Sequence, residues 1–189
     1  GVRFNRAYCQ QAVCNPSRAS ALTGYRPERI GVIDLHTRFR ETVPEVVTIP
    51  QHFKQHGYYT QSIGKIFHND TSPVPEGVPP HEDPQSWSVE PVLNFGPHWK
   101  DDPTNPERKG AAWQRLDVPD EAYFDGMIGN AAVEAIEERA VKDEPFFLAV
   151  GFWKPHLPFN APKRYWDLYD PDSLPPLGEQ SPPRGGPAI

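Results

Sequence analysis

The sequence has little sulfur, no excess of basic charge and no long apolar run, and each lack excludes something. No apolar stretch approaches the ~20 residues that span a bilayer, so no membrane span is expected. Net charge is -6, which argues against general affinity for nucleic acid but leaves room for a local basic cluster facing an anion. Two cysteines, Cys9 and Cys14, are too few for a disulfide framework, although their spacing allows one small closed loop. They also lack the second ligand pair of a zinc site. No charged start followed by an apolar block opens the chain, so no signal peptide is visible. "GVRFNRAYC" reads as the interior of a fold, and "GEQSPPRGGPAI" carries no helix or strand signal. The sequence is read as a fragment with both ends missing.

What is present suits one domain. The 189 residues are 37% hydrophobic and 12% aromatic, enough to build a core and too apolar for a disordered chain. Residues 2–9 alternate loosely and predict a short strand. Pro16 and Gly24 bracket a helix over 16–23, with Cys14 just ahead of it. Thr48 and Pro50 open a second helix that Gly57 ends. "YYTQSIGKIFH" predicts a strand running into a loop. The stretch 69–115 is proline-rich, excludes regular helix or central strand, and is read as a loop insertion. Helical periodicity returns over 119–142 at Phe124, Met127, Ile128, Ala131, Ala135 and Ile136. "PFFLAVGFW" (145–153) has the continuous apolar character of a buried parallel strand. "APKRYWDLY" predicts a short helix, and 170–189 an irregular tail. Alternating strands and helices predict an α/β layered architecture with a mostly parallel sheet flanked by helices.

Three short motifs carry the chemistry. The first is "CNPSRASALTG", Cys14 to Gly24. A group at a helix N-terminus meets free N–H groups and the positive end of the dipole, a good seat for an anion. Arg18 lies four residues on, returns to the same face, and offers a planar fork suited to a sulfate or phosphate oxyanion. The second is "GKIFH": a strand ending in Gly64-Lys65 places an ammonium at the carboxyl edge of a sheet, where α/β folds bind ligands, and His68 can accept a proton nearby. The third is "KPHLPF", directly after the apolar strand. There Lys154 is a candidate anion ligand and His156 a candidate general acid for a leaving alcohol. All three motifs follow an element end at the same predicted edge.

"CNPSRASALTG" resembles the signature of the type I, formylglycine-dependent sulfatases, Cys-x-Pro-Ser-Arg with a trailing Leu-Thr-Gly. The order and spacing of the three motifs look like the iduronate-2-sulfatase branch of that family. "QQAVCNPSR", "TIPQHFKQHGYYTQSIGKIFH", "LDVPD" and "PFFLAVGFWKPHLPF" all take part. The resemblance implies an alkaline-phosphatase-like fold, with residues 1–189 a partial catalytic domain. It implies Cys14 as precursor of a formylglycine that is both nucleophile and metal ligand. Arg18 and Lys65 would surround the formylglycine and the sulfate, His68 and His156 would serve acid/base or sulfate contacts, and Lys154 would bind substrate. It also implies calcium, a sulfated carbohydrate substrate, a formylglycine-generating maturation enzyme, and a secretory location (periplasmic, extracellular or lysosomal).

One departure stands against that match. The family's calcium is held by an early Asp-Asp pair and a later Asp-His or Asp-Asn pair, and neither is found here. Asp101 and Asp102, hemmed in by proline, read as a solvated turn. The remaining calcium ligands are therefore expected outside this sequence, and the chain alone is expected to be inactive even when modified. Two rival readings remain. One is a phosphate or phosphonate ester hydrolase of the same superfamily. The other is a non-catalytic module that binds acidic glycans, with Cys9 and Cys14 joined. Trp87, Trp99 and Trp113 are read as small local cores in preference to a sugar-stacking lid. Asn69-Asp70-Thr71 is a formal glycosylation sequon.

Overall fold

Capping residues set the helices that carry the first motif and support it. In the computed structural model, which describes residues 1–68, 82–93 and 112–176 together with 178, 181, 184 and 185, helix α1 spans Cys14–Thr23. It thus starts two residues before the predicted start, with Cys14 as its first residue. Pro16 still falls within the first turn, where no intrahelical N–H is required. Gly24 ends α1 in the left-handed region at φ 74°, its N–H donating to the Ser20 carbonyl. Two short helices follow, α2 (Pro27–Ile30) and α3 (Phe39–Thr42), and then α4 (Ile49–Gln55). Thr48 and Pro50 open α4 as predicted, with Pro50 in its first turn, and the structure adds Gln51, which forms a reciprocal capping box with Thr48.

The remaining elements are β1 (Tyr59–Gly64), β2 (Trp113–Leu116), α5 (Phe124–Ala140), β3 (Phe146–Gly151), β4 (Phe159–Pro162) and α6 (Lys163–Trp166). Strands β1 and β3 are parallel and in register from Tyr59 opposite Phe146 to Gly64 opposite Gly151. On the other edge of β1, Ser88 N–H donates to the Thr60 carbonyl and Val92 N–H to the Ser62 carbonyl. Strands β2 and β4 form a second parallel pair.

The pleat of β3 divides the core. Phe147 and Ala149 pack on one side against Ala19, Ile30, Phe39, Phe67 and Trp87; Leu148 packs on the other against Ile63, Ile128 and Trp153. Side chains that alternate along a strand reach opposite faces. Helices α1 and α3 therefore cover one face and α5 the other, a helix–sheet–helix arrangement that bears out the predicted layered fold.

Four expectations need correction. Residues 2–9 form no strand: Val2, Phe4 and Tyr8 are 79% exposed or more, and no partner strand lies beside them among the described residues. Strand β2 lies partly inside the stretch read as loop, because pairing with β4 supplies the hydrogen bonds that local sequence does not predict. β3 is only partly buried, with Phe146 and Val150 exposed, since β1 is its sole hydrogen-bonded neighbour among the described residues. On α5 the buried stripe runs through Phe124, Ile128, Ala132, Ala135 and Arg139, which leaves Met127 and Ile136 exposed at its margins. Trp87 is buried, as expected of a local core, whereas Trp113 is exposed and tilts against Trp166. Trp99, Asp101, Asp102 and the sequon at 69–71 lie outside the described residues.

Candidate active site

The carboxyl ends of β1 and β3 are adjacent because both end in glycine. Gly64 has φ 77°, and a Cβ on it would lie 2.2 Å from the Gly151 carbonyl oxygen; a Cβ on Gly151 would lie 2.0 Å from that of Lys65. No side chain fits at either position. The Lys65 N–H donates to the Gly151 carbonyl at 2.7 Å. The second motif is thereby bonded directly to the strand end that launches the third.

Helix α1 brings the first motif to the same place. Asn15 is buried, and its amide donates to the carbonyls of Asp34 and Thr37 at 3.0 and 2.8 Å, which fixes the first turn. Arg18 Nη1 donates to the carbonyls of Lys65 and Ile66 at 2.6 and 2.9 Å. Five predicted residues, Cys14, Arg18, Lys65, Lys154 and His156, line one cavity of about 620 Å³, joined by Trp153. His68 follows the Lys65–Phe67 turn but does not line that cavity; it is half-buried. Cys9 and Cys14 are both free thiols, which counts against the joined-cysteine alternative.

The electrostatics would suit an anion. Burial lowers Arg18, Lys65 and Lys154 from their ordinary values; Cys14 opposes the shift for Arg18 and Lys65, while the neighbouring Arg18 and Lys154 charges lower Lys65 further. Three cations are thus gathered where water is partly excluded, and an anion that replaces the missing solvation relieves the cost. Lys65 is 2% exposed, with Nζ 4.3 Å from the centre of the Trp153 ring, a cation–π contact.

Sequence reading missed two residues here. Trp153 also meets the His156 ring edge-on at 5.9 Å, so one indole orients both the ammonium and the imidazole. Asp125, in the first turn of α5, accepts the N–H groups of Trp153 and Lys154 at 2.8 and 3.0 Å. Nothing in "YFDGMIGN" names that partner, since the contact exists only once α5 packs on the sheet. His156 Nδ1 lies 2.6 Å from the Leu157 carbonyl. A carbonyl only accepts, so Nδ1 carries the proton and Nε2 is the nitrogen left to exchange one with a ligand.

Among the described residues no three His, Cys, Asp or Glu side chains come together as a cation site. The residues present do not fit a calcium ion, and no step is derived through one. No helix among the described residues is long and apolar enough to cross a membrane.

The family model described as Sulfatase matches residues 1–173. The chain is 36% identical to iduronate 2-sulfatase of Mus musculus, over 93% of this chain and 35% of that protein. It is 36% identical to the Homo sapiens iduronate 2-sulfatase, over 92% and 34%, and 32% identical to a sulfatase of Formosa agariphila, over 97% and 36%. It therefore spans about a third of the length of these relatives. The solved structure of BT4656 in complex with its substrate D-glucosamine-2-N,6-O-disulfate shares the fold, with a TM-score of 0.50 and 24% identity over 82% of this chain and 28% of that one. A signature cysteine on a helix mouth, two lysines and a histidine at adjoining strand ends, and a family match over nearly the whole chain lead to one statement: the chain belongs to the sulfatase family.

Proposed function

We propose that this chain carries the nucleophile-bearing part of a sulfuric ester hydrolase that removes sulfate from a sulfated sugar. The observation that supports it most is the meeting of Cys14, Arg18, Lys65, Lys154 and His156 in one cavity, from the start of α1 and the turns after β1 and β3, three segments far apart in sequence. Converted by a maturation enzyme to formylglycine and hydrated, position 14 would supply two oxygens on one carbon, one to attack sulfur and one to expel sulfate as the aldehyde reforms. Arg18 and Lys65, preorganised by backbone carbonyls and by Trp153, hold the sulfate oxygens as charge develops on them. His156, with Nδ1–H fixed on a carbonyl, carries its exchangeable proton on Nε2 and gives it to the leaving alcohol. Lys154 holds sulfate or an acidic group of the sugar. His68 is proposed as a further acid/base or sulfate contact entering from the adjoining turn.

The relatives named iduronate 2-sulfatase favour the 2-O-sulfate of a uronic acid as the substrate and a secretory location. Mass spectrometry of the Cys14 peptide, paired with turnover of sulfate and phosphate monoesters, tests the reading. The expected result is loss of the Cys14 sulfur together with preferential sulfate release from the intact protein supplied with calcium. An unmodified Cys14 in a protein that binds acidic glycans without turnover would overturn it, as would preference for the phosphate ester.

A further inference from the structure

Glu82 plays no part in the chemistry above, yet it is among the most buried charged groups of the described chain, at 6% exposed. Its Oε1 accepts the indole N–H of Trp87 at 2.7 Å, and its Oε2 is buried with no hydrogen-bond partner among the described residues. An ionisable carboxyl left half-satisfied in a core is costly, and a glutamine or an apolar residue could fill the same volume without that cost. Its surroundings suggest what the charge does.

Trp87 meets Phe67 edge-on at 6.2 Å, and Phe67 stacks on Phe39 at 5.5 Å. Phe67 completes the turn whose Lys65 and Ile66 carbonyls hold Arg18. The Arg18 charge is felt by both Cys14 and Glu82. Among the described residues no carboxylate hydrogen-bonds Arg18, and Glu82 is the carboxylate that acts on its charge. The other charges around Glu82 are committed elsewhere. Asp83 is paired with Arg40 at 2.7 Å, Lys54 donates to the Trp87 carbonyl, and Lys65 lies over Trp153. Burial, opposed by the Trp87 and Asp83 N–H groups and by Arg18 and assisted by the Asp83 charge, raises the Glu82 carboxyl to about 7.

We propose that Glu82 is a positioning residue that sets how much of the Arg18 charge reaches an anion in the cavity: protonated, it leaves that charge wholly to the anion, and as the carboxylate it draws on it from across the Phe67–Trp87 wall. The inference rests on the reading of the cavity as a sulfate site. It gives the site a preference for anions on the acidic side of neutrality that is independent of the histidines.

The test is calorimetric binding of inorganic sulfate, from pH 6 to 8, to the unreactive Cys14→Ala protein with and without Glu82→Gln. Between those limits the parent should lose roughly three- to tenfold more affinity than the Glu82→Gln protein, the two curves parting near neutrality. A purely structural role would lower affinity equally at every pH. Trp87→Phe supplies a second reading, since it keeps a ring but deletes the N–H that favours the charged carboxyl. Its affinity should fall at a higher pH than the parent's. Superimposed profiles for Glu82→Gln, or an unmoved midpoint for Trp87→Phe, would overturn the inference while leaving the sulfate site intact. If the parent binds no sulfate at any pH, the cavity reading itself fails and takes this inference with it.

Discussion

Arg18 and Arg40 are one residue type in two kinds of site, on the same side of the same sheet. Arg40 is a closed account. It bonds both Asp83 oxygens, at 3.0 and 2.7 Å, the Gln51 side chain, and the carbonyls of Pro44 and Val46. Asp83 in turn accepts from Ser86, which bonds Thr48 at the start of α4. Every partner is satisfied and the charge is neutralised. Among the described residues Arg18 is hydrogen-bonded only by two backbone carbonyls, which fix its position without cancelling its charge. The comparison teaches how to separate a structural cation from a functional one: it turns on whether the groups that orient the side chain also neutralise it.

The largest effects should come from the two arginines themselves and should be opposite in kind. Because the chain alone is expected to be inactive, activity is read on the intact protein supplied with calcium: there Arg18→Ala is expected to lower turnover of a sulfate ester by about a thousandfold, the scale of losing one preorganised oxyanion contact, with the melting temperature little changed. Arg40→Ala leaves Asp83, 2% exposed, buried and unpaired, which costs about 3–5 kcal/mol. That is enough to unfold a marginal domain and should be read by denaturant titration. If Arg18→Ala instead unfolds the protein while retaining activity per folded molecule, the distinction breaks.

Glu82→Gln should follow, and its effect depends on pH. The unfolded chain gives up this proton near 4.5 and the folded one holds it to about 7. Stability therefore falls as pH rises through that window and stays lowered above it. The variant should be more stable than its parent by up to about 3 kcal/mol at pH 8 and no different below pH 4, measured by urea melts at both. Asp125→Ala comes next: losing the acceptor for the Trp153 and Lys154 N–H groups should cost about 2 kcal/mol and raise KM by loosening Lys154, visible in steady-state kinetics. The smallest is Thr48→Ala, which removes the cap of α4 for about 1 kcal/mol and should leave KM for a sulfate ester unchanged.

Much of this was legible because it was local. Pro16 with Gly24, and Thr48 with Pro50, announce helix ends within a few residues. Lys65, Lys154 and His156 could be anticipated together because each follows a strand whose parallel pairing puts the carboxyl ends at one edge. What escaped is what depends on contacts far apart in sequence. Asp125 and Trp153 are joined only by packing, β2 becomes a strand only through β4, and Glu82 looks like a surface acid until Trp87 folds over it. The alternation of Val2 to Tyr8 failed for the converse reason: a strand pattern with no neighbouring strand among the described residues has nothing to bond.

The glycine pair at the ends of β1 and β3 has a consequence for how such a site can diversify. Since neither position tolerates a side chain, the gap between Lys65 and the loop carrying Lys154 and His156 is fixed by the spacing of two hydrogen-bonded strands, about 4.8 Å. That distance is a property of the polypeptide backbone and is insulated from changes in the surrounding loops. Descendants of this scaffold can exchange the walls that recognise one sugar or another while the grip on the small anion is inherited unaltered.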